Sequence, residues 1–380
     1  MSTLPDMPDR DDQHAWLTLL HTPGVGAVTV RAWLEQAGDI QAAVALARRE
    51  RSLAPEAQAW LRSPDVDRLA RDDAWLAAPG HRLLCCTETD FPPQLDAITG
   101  APAALFVDGD AALLLRPQLA IVGARGATPS GLANARLFAR ELAVTGLVIT
   151  SGLATGIDGA AHAGALDTGA TVAVMGTGPD RIYPRRHREL AARIVQSGAL
   201  VSEFVPGTDP RASHFPRRNR IIAGLALGTL VIEAGVRSGS LITARLANEQ
   251  GREVFAVPGS IHNSLARGCH RLIREGACLV ETVDEILVAL RPMAQALGHD
   301  LGRRLAETGA PAAAEPVDDP MSARLLAALG HDEPLALDTL CERSGLSMHE
   351  VSSRLLQWEL DGRVASQSGG RYLRVAKPLA

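Results

Sequence analysis

The sequence predicts an α/β protein whose central parallel sheet is doubly wound, with helices on both faces. Three observations carry that expectation. Between residues 80 and 290, short runs of Val, Ile and Leu recur, each bounded by glycine or proline. The stretches between them have helical spacing, as in SGLANARLFARELAVTG (130–146), DGAAHAGALDTG (158–169) and SLITARLANEQG (240–251). Glycines gather at the carboxyl ends of the apolar runs. Strands that are apolar without alternation are buried on both faces, and in a strand–helix repeat this means a parallel sheet. The strand candidates are 119–125, 147–152, 171–176, 199–204, 229–234, 253–259 and 278–282. Ligands of such sheets sit at the carboxyl ends of the strands, near the point where strand order reverses.

The flanks differ in character. Residues 1–78 form a helical unit: apolar residues recur at helical spacing over 14–49, interrupted at Pro23-Gly24-Val25-Gly26. The α/β unit occupies 79–290. Residues 291–319 turn to Ala, Pro and acidic residues and read as a linker. Residues 320–380 order themselves as helix (321–330), helix (337–345), helix (347–362) and hairpin (363–375), a winged-helix arrangement.

Composition narrows the function. With 46% hydrophobic and 21% charged residues over 380 positions, the chain suits two or three globular domains. A net charge of −5 excludes indiscriminate coating of nucleic acid, so any polyanion contact is local. The only lysine is Lys377, which rules out a Walker-type phosphate loop. Five cysteines without C-x-x-C spacing point to reduced thiols, with neither a disulfide framework nor a zinc site. The first twenty residues carry Asp6, Asp9, Asp11 and Asp12 and lack a signal-peptide core. No apolar run is long enough to span a bilayer, and the expected location is cytoplasmic.

The chemistry lies at the strand ends. Gly123-Ala124-Arg125-Gly126 closes the first run ahead of a helix, where backbone amides and a planar guanidinium suit phosphate. Ser151, Gly152 and Gly156 mark a second turn, with Asp158 expected to cap the following helix and His162 to pack rather than bind metal. Gly176 and Gly178 mark a third. The stretch 181–220 then holds nine arginines against Glu189, Glu203 and Asp209, interleaved with Tyr183, Phe204 and Phe215. That mixture fits phosphate tracking with base stacking. Its sharpest candidates are Phe215, Arg217, Arg218 and Arg220, with Asn219 available to a base edge or a backbone turn. Glu233 is open to two roles, a hidden general base or the partner of one of these arginines. Ser238-Gly239-Ser240 opens the next helix as a cap and anion nest. No catalytic, metal or cofactor residue is assigned.

These blocks resemble one family. GAR (123–125), SGLATGIDGAAH (151–162), GTGPDRIYP (176–184), SEF (202–204), FPRRNRIIAGL (215–225), VIEAGVRSGSLITA (231–244) and VFAVPG (254–259) look like the DprA (Smf) family of DNA-processing proteins. The resemblance covers about residues 80–290. It implies an extended Rossmann-like domain holding single-stranded DNA in a basic pocket, with Arg125, Arg217 and Arg218 as its cations. It further implies a homodimer that loads the RecA recombinase onto incoming DNA during natural transformation. Where the family usually has Gly-Ser-Arg in its first turn, this chain has Ala124, which removes one hydroxyl from the turn.

Both flanks are similar to the family. The turn in TPGVGAVTVRAWL (22–34) resembles a helix-hairpin-helix, and the family has a small SAM-like helical domain there; a helical cap packed on the sheet is the other reading. In the winged helix, Glu350, Glu359 and Asp361 make the third helix poorly suited to a major groove. A protein-contact role is expected there, with DNA contact open to Arg363, Arg371, Arg374 and Lys377. Two function classes remain: a non-catalytic single-strand-binding recombination mediator, and a Rossmann-type nucleotide phosphoribohydrolase using Glu233, Glu203 or Asp158 as its carboxylate.

Overall fold

A computed structural model describes residues 10–307, 320–329, 334–360, 364–367 and 371–374. Five helices open the chain: α1 (Arg10–Leu20), α2 (Ala27–Ala37), α3 (Ile40–Arg49), α4 (Pro55–Arg62) and α5 (Val66–Leu76). Local chemistry sets their limits. Asp39 and Asp65 accept the amides of Ala42 and Arg68 at the starts of α3 and α5, and Gly38 ends α2 in the left-handed region.

The sheet begins with β1 (His81–Cys85), then α6 (Pro93–Asp96), β2 (Ala104–Gly109) and β3 (Gln118–Gly123). It continues as a strand–helix alternation: α7 (Pro129–Val144), β4 (Val148–Ser151), α8 (Ile157–Ala165), β5 (Thr171–Met175), α9 (Arg188–Ser197), β6 (Ala199–Ser202) and α10 (His214–Leu225). Then come β7 (Gly228–Ile232), α11 (Ser240–Glu249), β8 (Glu253–Ala256), α12 (Arg267–Arg274), β9 (Cys278–Leu279) and α13 (Val283–Glu307). Spatial order is β1-β2-β6-β5-β4-β3-β7-β8-β9. From β6 to β9 all pairings are parallel, whereas β2 runs antiparallel to both β6 and β1.

Residue alternation along each strand builds two cores. Ala120 and Val122, with Val174 and Val231, face Leu95 of α6 and Ile221, Ile222 and Leu225 of α10. Leu119 and Ile121, with Ile149 and Leu230, face Phe138 and Leu142 of α7, Ala161 of α8 and Leu290 of α13. The doubly wound parallel sheet is therefore as expected, and all seven expected strands are present, each ending earlier than expected and the last reduced to Cys278–Leu279. Strands β1 and β2 escape the sequence pattern because no crossover helix of full length separates them; they pair antiparallel at the sheet's edge.

One stretch differs from expectation. Residues 291–307, read as linker, belong to α13. Pro292 lies inside that helix, yet Leu290, Met293, Leu297 and Leu301 form one apolar stripe against the sheet's helices. Burying that stripe outweighs an interior proline costing about 3 kcal/mol. Residues 308–319 of the expected linker lie outside the described residues. The FPRRNR segment, to which the sequence pattern assigned no element, forms the first half of α10.

Beyond the linker lie α14 (Pro320–Leu329), β10 (Leu335–Ala336), α15 (Leu337–Ser344), α16 (Met348–Leu360), β11 (Val364–Gln367) and β12 (Arg371–Arg374). The three short strands pair in the order β10-β12-β11, giving the expected winged helix. Arg363 and Lys377 lie outside the described residues. At the other end, Trp16, Leu17, Leu19 and Trp33 share one core with Leu83, Cys85 and Phe106 of β1 and β2. The helical unit is thus packed on the sheet as a cap. Among the described residues, no helix is long and apolar enough to cross a membrane.

Candidate nucleic-acid interface

Strand order reverses at β3: β4, β5 and β6 lie to one side, β7, β8 and β9 to the other. Loops leaving the two sides diverge there and open a crevice at the carboxyl ends. In this protein the crevice is a cleft of about 980 Å³.

Its floor is a pair of interlocked turns. The carbonyl of Ala124 accepts the Ile157 N–H at 3.2 Å, and Thr155 Oγ1 donates to the Arg125 carbonyl at 3.2 Å. This contact depends on Gly156, at φ +81° and ψ −127°, where a Cβ would strike the Ala124 and Arg125 carbonyls. The Ala124 amide is already committed to the Glu233 carbonyl at 2.7 Å. Ser151 Oγ donates to the Ile121 carbonyl at 2.6 Å beneath the turn.

Asp158 departs from the expected cap. Gly156 caps α8, and Asp158 sits in its first turn, where its carboxylate accepts the amides of Gly152 (3.1 Å) and Ala154 (3.3 Å). Burial raises its pKa, opposed by the nearby Arg218 and by those amides. His162, on the same helix, is fully buried. Its Nε2 faces the Leu153 N–H at 3.4 Å and its Nδ1 meets Thr171 Oγ1 at 2.7 Å, a pattern of one acceptor and one donor that suits the neutral ring. Burial accordingly holds its pKa down at about 3.

The arginines of FPRRNR separate because a helix turns successive residues by roughly 100°. Arg218 points inward under the cleft and is 4% exposed. Its Nη1 donates to the carbonyls of Gly152 (2.6 Å) and Val174, and burial pulls its pKa down to about 10. Arg217 points elsewhere: its Nε meets Glu203 at 3.1 Å and its guanidinium lies 5.5 Å from the Phe204 ring. Arg220 also pairs with Glu203 and donates to the Gly100 carbonyl at 2.8 Å. Arg217 and Arg220 therefore do not line the cleft, whereas Phe215, Arg218 and Asn219 do.

Ser151, Gly152, Gly156, Gly176 and Gly178 also lie off the lining. Gly176 leaves room for the Phe215 ring, and its carbonyl is 3.2 Å from His214 Nδ1; the Gly178 N–H donates to the Thr208 carbonyl at 2.9 Å. From the remaining candidates, Gly123 to Gly126 and Ser238 to Ser240 line it directly. The Ser238 and Ser240 hydroxyls are 2.7 Å apart at the start of α11. Among the described residues Glu233 pairs with no arginine. It accepts from Thr128 N–H (2.7 Å), Thr128 Oγ1 (2.6 Å) and Asn263 Nδ2 (3.1 Å), pinning the loop before α7.

The free charge comes from Arg125, Arg211, Arg237 and Arg267, all exposed and lining the cleft. Among the described residues none of the four makes an ion pair. Arg125 lies over Phe215 at 5.6 Å, and Phe215 meets Tyr183 at 5.5 Å. Asp158 is the one carboxylate on the lining. Arg237 precedes α11 and Arg267 opens α12, positions where the helix dipole disfavours a cation. Sequence reasoning did not single out Arg237 or Arg267; their signal was a basic residue between a strand's carboxyl end and the next helix. Unneutralised guanidinium groups around exposed ring faces suit a ligand that alternates phosphates with planar bases.

Comparison with known proteins agrees with this architecture. The family model "DNA recombination-mediator protein A" matches residues 82–291, and the "DprA winged helix domain" matches residues 309–370. This chain belongs to the DNA recombination-mediator protein A family. It is 42% identical to Protein Smf of Escherichia coli (strain K12), over 96% of each chain. It is 48% identical to the DNA processing protein DprA of Streptococcus pneumoniae over 57% of this chain and 77% of that relative. The X-ray structure of DNA processing protein A from Streptococcus pneumoniae superposes with a TM-score of 0.63 at 36% identity, covering 72% of this chain and 96% of that one. DNA processing protein A from Helicobacter pylori, whose structure is described by its single-stranded DNA binding mode, gives a TM-score of 0.51 at 30% identity, covering 56% and 96%.

Proposed function

We propose that this protein binds single-stranded DNA in the cleft at the sheet's carboxyl edge and delivers it to a RecA recombinase, acting as a homodimer without catalysis. The observation that carries the binding assignment is Arg125, which makes no ion pair among the described residues and lies over Phe215 at 5.6 Å, with Arg211, Arg237 and Arg267 lining the same cleft. The description of the matching family as recombination mediators supports delivery to a recombinase. The single-stranded DNA binding mode described for the Helicobacter pylori relative supports the ligand class. Binding without turnover is supported by the state of the three carboxylates. Asp158 braces a turn, Glu203 holds two arginines, and Glu233 pins a loop.

Labelled oligothymidine titrated at several salt concentrations tests the assignment. Arg125→Ala and Arg237→Ala should each weaken binding and flatten the logarithmic salt slope by about 0.7, the release expected for one lost contact to a single strand. Arg217→Ala should have the smaller effect, because that side chain is paired with Glu203 and lies off the cleft lining. Wild-type affinity and slope in both cleft variants would remove the site. Rapid hydrolysis of a nucleoside monophosphate alongside weak strand binding would replace binding with catalysis. A monomer mass in light scattering at micromolar concentration would exclude the dimer.

A further inference from the structure

The main cleft does not stop at Phe215. Tyr183 and Pro210 belong both to it and to a second cleft of about 360 Å³ containing Arg181, Arg185 and Arg188. Asp180 and Arg181 in turn belong to a third cleft of about 460 Å³, whose far wall is α5 of the helical cap. That wall presents Arg68, Arg71 and Trp75. Shared residues thus set the three clefts side by side, in a row from the sheet's carboxyl edge to the cap.

Charge and rings continue along the whole length. Arg68, Arg71, Arg185 and Arg188 are exposed, and among the described residues none of them makes an ion pair. The acidic residues of the two outer clefts are largely committed. Asp180 pairs with Arg181 at 3.3 Å and accepts the Gly207 N–H at 2.7 Å, and Asp72 is buried against His21. Among the described residues, Asp209 is the one acidic residue of these two clefts without a partner. Tyr183, 44% exposed, forms the divide between the first two clefts and offers a ring face there. Arg68 lies 6.0 Å from the Trp60 ring, a second cation held beside an aromatic face.

We propose that a bound single strand leaves the main cleft across Tyr183, passes Arg185 and Arg188, and ends on the Arg68–Arg71 face of α5. This rests on the single-strand assignment of the main cleft. It gives the helical cap a nucleic-acid role through α5, not through its Gly24-Val25-Gly26 turn. The strand's footprint is then set by two structural units, so affinity depends on oligomer length beyond what the main cleft holds.

The test uses the full chain with oligothymidines from about 4 to about 16 nucleotides, a span that brackets known single-strand site sizes. Arg185→Ala/Arg188→Ala and Arg68→Ala/Arg71→Ala double variants should bind the shortest oligomers as the parent does. Both should lose affinity for the longest, with the salt slope flattened by about 1.4 for two lost contacts. Tryptophan emission gives an independent readout. No tryptophan lines the main cleft, whereas Trp75 lines the third. Long oligomers should quench emission, short ones should not, and Trp75→Phe should remove the quench. Circular dichroism melting verifies that the variants are folded; the altered arginines are exposed, so melting should be unchanged. Parent-like affinity of both double variants at every length, with Arg125→Ala still weakened, overturns the extended track while leaving the main cleft intact. If Arg125→Ala is also parent-like, both assignments fall.

Discussion

Arg125 and Arg218 are both arginines of one cleft, yet they do opposite work. Arg125 is exposed, rests on a ring and makes no ion pair among the described residues, so its charge is available to a ligand. Arg218 is consumed by strand-end carbonyls and acts as a strut. Composition and spacing identify both as arginine beside a glycine turn; only the helical phase of α10 separates them. The same phase removes Arg217 and Arg220 to Glu203, which no linear pattern announces because Glu203 lies on a different element. His162 supplies a residue-scale prediction. Its pKa in the fold, about 3, is below its ordinary value of 6.5, so its contribution to stability is full above pH 6.5 and is lost as pH falls towards 3. The loss should approach about 1.4 kcal/mol per pH unit within that window. Denaturant titrations between pH 7 and pH 4 should show a shallower decline for His162→Gln than for the parent. Equal declines would mean that another group carries the acid sensitivity.

At the scale of elements, the glycine turns and the loop before α7 form the platform on which the arginines stand. Gly156→Ala should destabilise the fold by about 1–3 kcal/mol and weaken oligothymidine binding in step, because the two turns meet through that residue. Denaturation midpoints and binding isotherms on the same preparation test the linkage. Glu233→Gln probes a different element. An amide oxygen can still accept from Thr128, so strand binding should stay within about fivefold of the parent, the factor set by one typical hydrogen bond of about 1 kcal/mol. A general base would not tolerate the exchange in a hydrolysis assay. The sequence made the parallel strands legible because they are buried on both faces and separated by full-length helices. It hid β1, β2 and the second half of α13, where an antiparallel edge and a proline inside a packed helix break the local rules.

At the scale of the molecule, the helical cap and the sheet share a hydrophobic core through Phe106, Leu83 and Trp33. Phe106→Ala should cost about 3–5 kcal/mol. It should lower one transition common to the cap and the sheet, seen by tryptophan emission and by backbone dichroism, because the two parts are joined through that shared core. Two resolved transitions would show that they unfold independently. The strut at Arg218 has a final consequence for the whole particle. A cation fixed under an open cleft, beside one buried carboxylate and below the exposed Arg125, Arg211, Arg237 and Arg267, makes the protein sensitive to its electrolyte. At matched ionic strength, sulfate should protect it from heat better than chloride does, even with no polymer present.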